Sequence, residues 1–194
     1  MSKPIKFFDW SIAPNPRRLR LFIQAKGIEI DTEDVGPGMD ELTREPLYSA
    51  EYTAKNPRAT TPALELDDGT IIGDAAACMR YLEEVQPEPP LFGSNAKEKA
   101  LVDMWEHRAN EDCLMAIAES FRNSDGSPFE YAYPGVTATR KIPELVERGN
   151  CARCTSMSSS MRSWPRTSTS LATSSRRLTS RRSVRTILGL HLGC

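Results

Sequence analysis

The residues of this 194-residue chain most suited to chemistry stand at the predicted starts of two helices. Ser11 and Asn15 come just before Pro16, which suits a first helical turn because no N–H donor is needed there. Asp74 opens the second helix. Helix starts stabilise anions through unpaired N–H groups and the helix dipole, and a nearby hydroxyl or amide donor lowers the pKa of a thiol. The structural alternative makes Asn15 and Asp74 helix caps and Ser11 a loop residue.

Metal and disulfide chemistry have weaker support in the sequence. His107 lies on a predicted helix with no second histidine nearby, so we expect no metal site. Cys151 and Cys154 form a Cys-x-x-Cys motif without the strand-to-helix setting of a redox pair. Five cysteines, an odd number without a regular framework, argue against a disulfide scaffold.

Charge is divided unevenly along the chain. Residues 1–150 hold all 26 acidic residues and 17 of the 25 basic ones, a net charge of −9, whereas residues 151–194 hold eight arginines and no acidic residue. We therefore interpret Arg17, Arg18 and Arg20 as a solvated helix face rather than a nucleic-acid surface. The sequence has no apolar run that could span a bilayer and no secretory signal, so we expect a cytoplasmic protein that binds neither nucleic acid nor membrane.

A strand–helix–strand unit is predicted to position the first helix start. Residues 5–10 are typical of a strand, residues 16–27 of a helix that ends at a glycine, and residues 28–31 of a second strand. Residues 35–55 are predicted to be irregular, with a short helical piece near 40–45.

An antiparallel unit is predicted to position the second helix start. Residues 63–66 and 70–72 flank Asp67-Asp68-Gly69, a strong hairpin signal, and a helix over residues 75–84 follows. The two units together predict an α/β fold with a mixed sheet.

The chain is predicted to divide into four segments. Residues 1–86 form the α/β domain, and the proline-rich residues 87–94 form a linker. Residues 95–150 form a partial all-α domain, because apolar residues keep a helical period from Leu101 to Phe121. Residues 151–194 form an Arg/Ser-rich tail.

Three segments, in order and at matching spacing, resemble the glutathione transferase superfamily. They run from Ala13 to Leu21, from Asn56 to Leu64, and from Asp67 through the Met79–Glu84 helix; the second is similar to the family's Asn-Pro-x-Gly-x-Val-Pro-x-Leu segment. The resemblance covers residues 5–150. It implies a thioredoxin-like N-terminal domain, glutathione as co-substrate without a metal, a small electrophile as second substrate, and a homodimer.

The resemblance also implies how the glutathione sulfur is held. Family members often place a serine, tyrosine, threonine or cysteine in the first segment, where this chain has Ala13. Asn15 matches a position at which some bacterial members use asparagine, so it is our first candidate for stabilising the thiolate, with Ser11 second.

The rest of the tripeptide is implied to lie along two further segments. A cis Thr61–Pro62 bond would expose the Thr61 backbone to the cysteinyl unit of glutathione, and either Thr60 or Arg58 would approach its glycyl carboxylate. Asp74 would meet the γ-glutamyl ammonium group. Ala75 replaces the serine that usually meets the neighbouring carboxylate, so a backbone N–H at Ala75 would take its place.

Three functions remain open at this point. The first is conjugation of the glutathione thiolate to a small electrophile. The second is glutathione-dependent disulfide reduction, which would depend on glutathione itself because residues 11–16 contain no cysteine. The third is a non-catalytic binding module, which the alanines at positions 13 and 75 make reasonable.

The tail does not resemble the amphipathic helices that complete the family's all-α domain. Read with a two-base offset, the codons of Trp164 to Arg181 can encode a string similar to the family's late Gly-Asp-x-Phe-Ser-x-Ala-Asp-Ile segment, which indicates a frameshift. The alternative is a genuine disordered tail. Either way, we expect weak glutathione binding and partial exposure of the following apolar residues: Leu101, Met104, Trp105 and Ile117.

Overall fold

A computed structural model of the chain describes residues 2–38, 47–132 and 139–152. These residues divide into two compact units. The first contains the described residues of Met1–Pro89 and Pro128–Arg140, and the second contains Pro90–Ser127 and the described residues from Lys141 onward. In these ranges, no helix has both the length and the apolarity that crossing a membrane requires. The predicted helix near 40–45 and the tail beyond residue 152 lie outside the described residues.

A four-stranded mixed sheet organises the first unit. Its strands are β1 (Pro4–Asp9), β2 (Asp31–Asp34), β3 (Ala63–Leu66) and β4 (Ile71–Gly73), in the order β2-β1-β3-β4. Strand β1 runs parallel to β2 and antiparallel to β3, and β3 pairs antiparallel with β4. The predicted mixed sheet and hairpin are confirmed, and the βαβ–ββα arrangement is a thioredoxin-like fold.

Three helices accompany this sheet: α1 (Pro14–Lys26), α2 (Ala50–Lys55) and α3 (Ala75–Val85). Helix α2 was not predicted. It has only six residues, and its N-cap is Ser49, whose hydroxyl accepts a hydrogen bond from the Tyr52 N–H at 3.1 Å.

The predicted position of the second strand is wrong by three residues. Gly27 adopts a left-handed conformation at the end of α1, and the Ile28 N–H donates to the Ile23 carbonyl at 3.1 Å. Ile28 is therefore part of the helix cap and is not available to start a strand, so β2 begins only at Asp31.

The core of the first unit is closed on both sides of β1. Phe7 and Phe8, whose side chains point to opposite faces of the strand, are both at most 2% exposed.

The Lys26 ammonium group, fully buried at the end of α1, pairs with Glu83 and donates to the Gln86 and Pro89 carbonyl oxygens at 2.6 and 2.7 Å. This contact fixes the end of α1 to the residues around and after the end of α3.

The second unit contains α4 (Ala96–Arg108), a π-helical turn (Ala109–Leu114), α5 (Met115–Asn123) and a helical stretch over 144–152. The predicted helical period is thus interrupted by the π-helical turn. The expectation of partial exposure is met by Leu101, which is 43% exposed, and by the half-buried Met104 and Ile117. It is wrong for Trp105, which is 9% exposed and lies under the Arg108 guanidinium group.

Candidate functional site

The strand register places the predicted site segments at one end of the sheet. Phe8 of β1 is opposite Ala63 of β3, and Ala63 is opposite Gly73 of β4. The loop that follows β1, the Thr61–Pro62 segment that precedes β3, and the residue that follows β4 therefore all leave the sheet at the same edge. This edge brings together the segments that carry Ser11, Asn15, Thr61 and Asp74.

Helix α1 begins two residues earlier than the sequence predicted, at Pro14 rather than at Pro16. The N-cap is Ala13, so Asn15 is not the cap but lies in the first turn, between Pro14 and Pro16. Prolines have no N–H, and the first intrahelical bond runs from the Arg17 N–H to the Ala13 carbonyl at 3.2 Å. Asn15 consequently supplies the one backbone N–H of this turn that has no acceptor among the described residues.

Arg18 and Arg17 behave differently, although both lie on α1. Arg17 is exposed, as predicted for a solvated face, whereas Arg18 is 4% exposed and that prediction is wrong for it. The Arg18 Nη1 donates to the Asn15 Oδ1 at 3.3 Å. The contact links a buried positive charge to the side chain predicted to stabilise the thiolate.

Arg20 fixes the loop that carries Ser11. Its guanidinium group pairs with the buried Asp9 and donates to the Trp10 carbonyl at 3.4 Å and the Ser11 carbonyl at 2.9 Å. The Ser11 N–H donates to the Asp34 Oδ2 at 3.2 Å, while its hydroxyl has no partner among the described residues. Arg20 is thus half-buried and structural, which also departs from a purely solvated face.

The Thr61–Pro62 peptide bond is cis, as the resemblance implied. The Thr61 N–H and carbonyl have no hydrogen-bond partner within the described ranges, because pairing of β3 begins only at Ala63. The Thr61 Oγ1 lies 3.0 Å from the Tyr48 hydroxyl. The side chain is therefore tethered while the backbone groups remain available to an extended ligand.

The Thr60 carbonyl, in contrast, is already occupied. It accepts hydrogen bonds from the Tyr52 hydroxyl at 2.6 Å and the Asn56 Nδ2 at 2.8 Å. Burial raises the pKa of Tyr52 to about 12, so its hydroxyl stays protonated and keeps donating at neutral pH. These contacts hold the segment at Ala59, which has a positive φ of 49°.

Asp74 caps α3 in a strained backbone conformation. Its φ is 65° and its ψ is 131°, its side chain makes no capping hydrogen bond, and it is exposed. The first intrahelical bond runs from the Cys78 N–H to the Asp74 carbonyl at 3.0 Å, which leaves the N–H groups of three alanines, beginning with Ala75, without helical acceptors. A carboxylate beside three N–H groups that have no acceptor among the described residues suits a ligand that carries both an ammonium and a carboxylate group.

Cys78 is buried at the start of α3. Burial raises the pKa of its thiol to about 12, and its Sγ donates to the Ile72 carbonyl at 3.2 Å. It therefore remains a thiol at neutral pH. The described residues also contain no cluster of three or more histidine, cysteine, aspartate or glutamate side chains placed to hold a metal.

An aromatic group that sequence reasoning missed supports this edge of the sheet. Trp10 contacts Tyr48 and Phe129 with ring centroids at 6.0 and 6.4 Å, and its Nε1 donates to the Pro37 carbonyl at 3.0 Å. A Cβ at Gly36 would lie 1.9 Å from the Trp10 ring, so only glycine fits there. Phe129 follows the long helical region in sequence, and no local pattern indicated its place in the first unit.

Comparisons with known proteins agree with this fold. A family model described as glutathione S-transferase, N-terminal domain, matches residues 12–85. Glutathione S-transferase 2 of Saccharomyces cerevisiae is 28% identical over 64% of this chain and 52% of its own length. Maleylacetoacetate isomerase of Dictyostelium discoideum is 28% identical over 55% of this chain and 52% of its own length. The chain therefore spans about half the length of these curated relatives.

The solved structures include a glutathione S-transferase from Methylobacillus flagellatus with gsh bound. It matches 97% of this chain and 81% of its own chain with a TM-score of 0.68 at 17% identity, a likeness that concerns the fold alone. The fold is that of a thioredoxin-like domain, and polar groups of three loop segments lie at one end of its sheet. Residues 12–85 thus match the N-terminal domain of the glutathione S-transferase family, and the similarity to the yeast enzyme is consistent with this match.

Proposed function

We propose that this chain binds glutathione and conjugates its thiolate to a small electrophile. One observation carries the proposal. The unpaired Thr61 backbone, the donor-bearing start of α1 and the open start of α3 all leave the sheet at one edge. An extended tripeptide that carries a thiol at its centre and charged groups at its ends needs these elements together.

Each part of glutathione has a matching group in this proposal. The cysteinyl N–H and carbonyl pair with the Thr61 backbone, and the sulfur faces the N–H and side-chain amide of Asn15. The γ-glutamyl ammonium meets Asp74, and the neighbouring carboxylate meets the N–H groups that begin at Ala75. The Thr60 carbonyl is committed to Tyr52 and Asn56, so Thr60 contributes through its side chain alone.

The reaction follows from stabilising the anion. A free cysteine thiol has a pKa of about 8.5, so donors at the sulfur raise the thiolate fraction at neutral pH. With a chlorinated aromatic, the sulfur forms a bond to the ring carbon and chloride leaves with the bonding electron pair. The thiol proton passes to water. No protein side chain changes its covalent state.

The test is conjugation of chlorodinitrobenzene by the full chain, with the variants Asn15→Ala and Ser11→Ala. We expect Asn15→Ala to lower kcat/KM by about tenfold to a hundredfold, the range for losing a hydrogen bond to a charged group. A loss confined to Ser11→Ala would transfer the role to Ser11. Equal activity of both variants and the wild type would refute the assignment of the thiolate site.

Two alternatives are separated by further measurements on the same protein. Turnover of a glutathione mixed disulfide without turnover of chlorodinitrobenzene would favour a reductase. The nucleophile of such a reductase would be glutathione itself, because burial raises the pKa of the Cys78 thiol to about 12. Retention on immobilised glutathione without either activity would favour a binding module. Because a curated relative is named maleylacetoacetate isomerase, maleylacetoacetate should also be tested as a substrate.

The homodimer and the cytoplasmic location expected from the sequence are also proposals. Analytical ultracentrifugation tests the homodimer.

A further inference from the structure

The start of α1 has an unusually small set of hydrogen-bond donors. Pro14 and Pro16 remove two of the N–H groups that a helix start normally offers, and the Arg17 N–H is already bonded. Asn15 alone can then supply a backbone N–H and a side-chain NH₂ group to an anion at this helix start. The orientation of one side-chain amide therefore matters more here than at a helix start with several unpaired N–H groups.

The buried Arg18 determines that orientation. A guanidinium group only donates hydrogen bonds, so the Asn15 atom that lies 3.3 Å from the Arg18 Nη1 must be the amide oxygen Oδ1. The amide nitrogen Nδ2 is then the end that remains, and it has no acceptor among the described residues. Arg18 itself is 4% exposed, so its guanidinium group is held in place by packing.

We propose that Arg18 is a positioning residue that fixes the Asn15 amide with its nitrogen available to the glutathione sulfur. The inference rests on the proposed function, because it needs Asn15 at the sulfur. Without the guanidinium group, the amide can rotate and present its oxygen, a hydrogen-bond acceptor that disfavours a thiolate. Arg18 also places a positive charge behind the amide, which favours the anion in the same direction.

The experiment uses the full chain and four variants. Arg18→Met removes the donor, Arg18→Lys keeps a charged donor, and Asn15→Asp keeps the contact with Arg18 but presents an oxygen to the sulfur. Arg17→Met is the matched control, because Arg17 is the exposed neighbour on the same helix. The readouts are the pH profile of kcat/KM, the ultraviolet absorbance of the bound thiolate, and the glutathione Kd measured at a pH where the thiol is protonated.

We expect Arg18→Met to raise the pKa of the bound thiol by about one unit, which lowers the thiolate fraction about tenfold below that pKa. The glutathione Kd should change by less than about threefold, since the Thr61 and Asp74 contacts remain. Arg18→Lys should recover part of the effect, Asn15→Asp should raise the thiol pKa at least as far, and Arg17→Met should match the wild type.

The outcomes separate this inference from the proposed function. A folded Arg18→Met with a wild-type thiol pKa, in a protein impaired by Asn15→Ala, overturns the role of Arg18 alone. If Arg18→Met does not fold, Arg18→Lys decides, because it changes the donor to the Asn15 amide: a thiol pKa above that of the wild type supports the inference, and an unchanged one overturns it. A wild-type protein that takes up no glutathione, or an Asn15→Ala variant with an unchanged thiol pKa, overturns the proposed site and the inference together.

Discussion

Replacing Asp74 with glycine is expected to stabilise the first unit and weaken glutathione binding at the same time. Asp74 combines a φ of 65° with a ψ of 131°, a conformation that favours glycine, and its side chain makes no capping hydrogen bond that would compensate. Strained backbone of this kind persists only where the surrounding structure enforces it, and it clusters at functional sites. The opposite signs of the two effects make this substitution informative.

The magnitude follows from three contributions. A non-glycine residue in a sparsely populated backbone region costs about 1–3 kcal/mol. Glycine returns about 0.5–1 kcal/mol of this through the greater freedom of the unfolded chain, and exchanging the cap residue costs a few tenths more, roughly 0.3 kcal/mol. The net expectation is about 1 kcal/mol of stabilisation, which corresponds to a rise in Tm of about 2–4 °C for a chain of this size.

The expected loss of glutathione affinity is about tenfold, since a hydrogen bond to a charged group contributes about 1.5–3 kcal/mol. Asp74→Asn separates the two effects, because it removes the charge and keeps the side chain. Ala59→Gly is the matched control, because Ala59 also has a positive φ, 49°, but no predicted ligand contact. It should raise Tm by a similar amount and leave the Kd unchanged.

Scanning calorimetry and isothermal titration of glutathione measure the two quantities independently. An Asp74→Gly variant with lower Tm than the wild type would show that the backbone at residue 74 is not strained. An unchanged Kd in both Asp74→Gly and Asp74→Asn would remove Asp74 from the binding site, whatever the stability result.

The remaining predictions concern other parts of the described chain. An alkylating agent at pH 8 should modify the exposed Cys151 but not Cys78, whose pKa burial raises to about 12, whereas the unfolded chain should react at both in peptide mass mapping. Because burial raises that pKa above its ordinary value, the contribution of Cys78 to stability is complete below the ordinary thiol pKa and is lost as the pH rises towards about 12. Cys78→Ala should therefore flatten the fall of the urea midpoint at alkaline pH. Gly149→Ala should cost about 1–3 kcal/mol in urea unfolding, because its Cβ would lie 2.5 Å from a backbone oxygen of α5, whereas Gly126→Ala, with open space around it, should change stability by less than about 0.5 kcal/mol. Arg20→Met should speed hydrogen exchange in the loop after β1 and lower kcat/KM, and unchanged exchange there would contradict its role as a loop clamp. Resequencing the gene from codon 150 should reveal a one- or two-base insertion or deletion if the tail arises from a frameshift, and an intact reading frame would establish the tail as genuine.

The start of α1 shows why sequence alone placed Asn15 incorrectly. Pro14 and Pro16 both satisfy the preference for proline in the first helical turn, and Asn15 is a good cap for a helix that begins at Pro16. Only the tertiary structure decides between the two registers, and it starts the helix at Pro14 with Ala13 as cap. A shift of two residues changes Asn15 from a cap into a donor of the first turn.

Elements with strong local signals were predictable, and those set by tertiary packing were not. The Asp-Gly hairpin was recovered because turn chemistry fixes it locally. The burial of Arg18 was missed, since a charged residue beside an apolar stripe gives no sign of which neighbour it will meet. The start of β2 was misplaced because alternation in residues 28–31 could not reveal that Ile28 belongs to the cap of α1.

The two alanines that depart from the family pattern have a common structural consequence. Ala13 and Ala75 lack the hydroxyls that the resemblance implies, and at each position the neighbouring donors are backbone N–H groups, those of Asn15 and of the first turn of α3. The Thr61 backbone completes the set. Because main-chain donors are fixed by the fold, we expect the proposed site to discriminate by the shape and charge spacing of the tripeptide. Asn15 and Asp74 are then the side chains at which we expect chemistry and affinity to change without rebuilding the backbone.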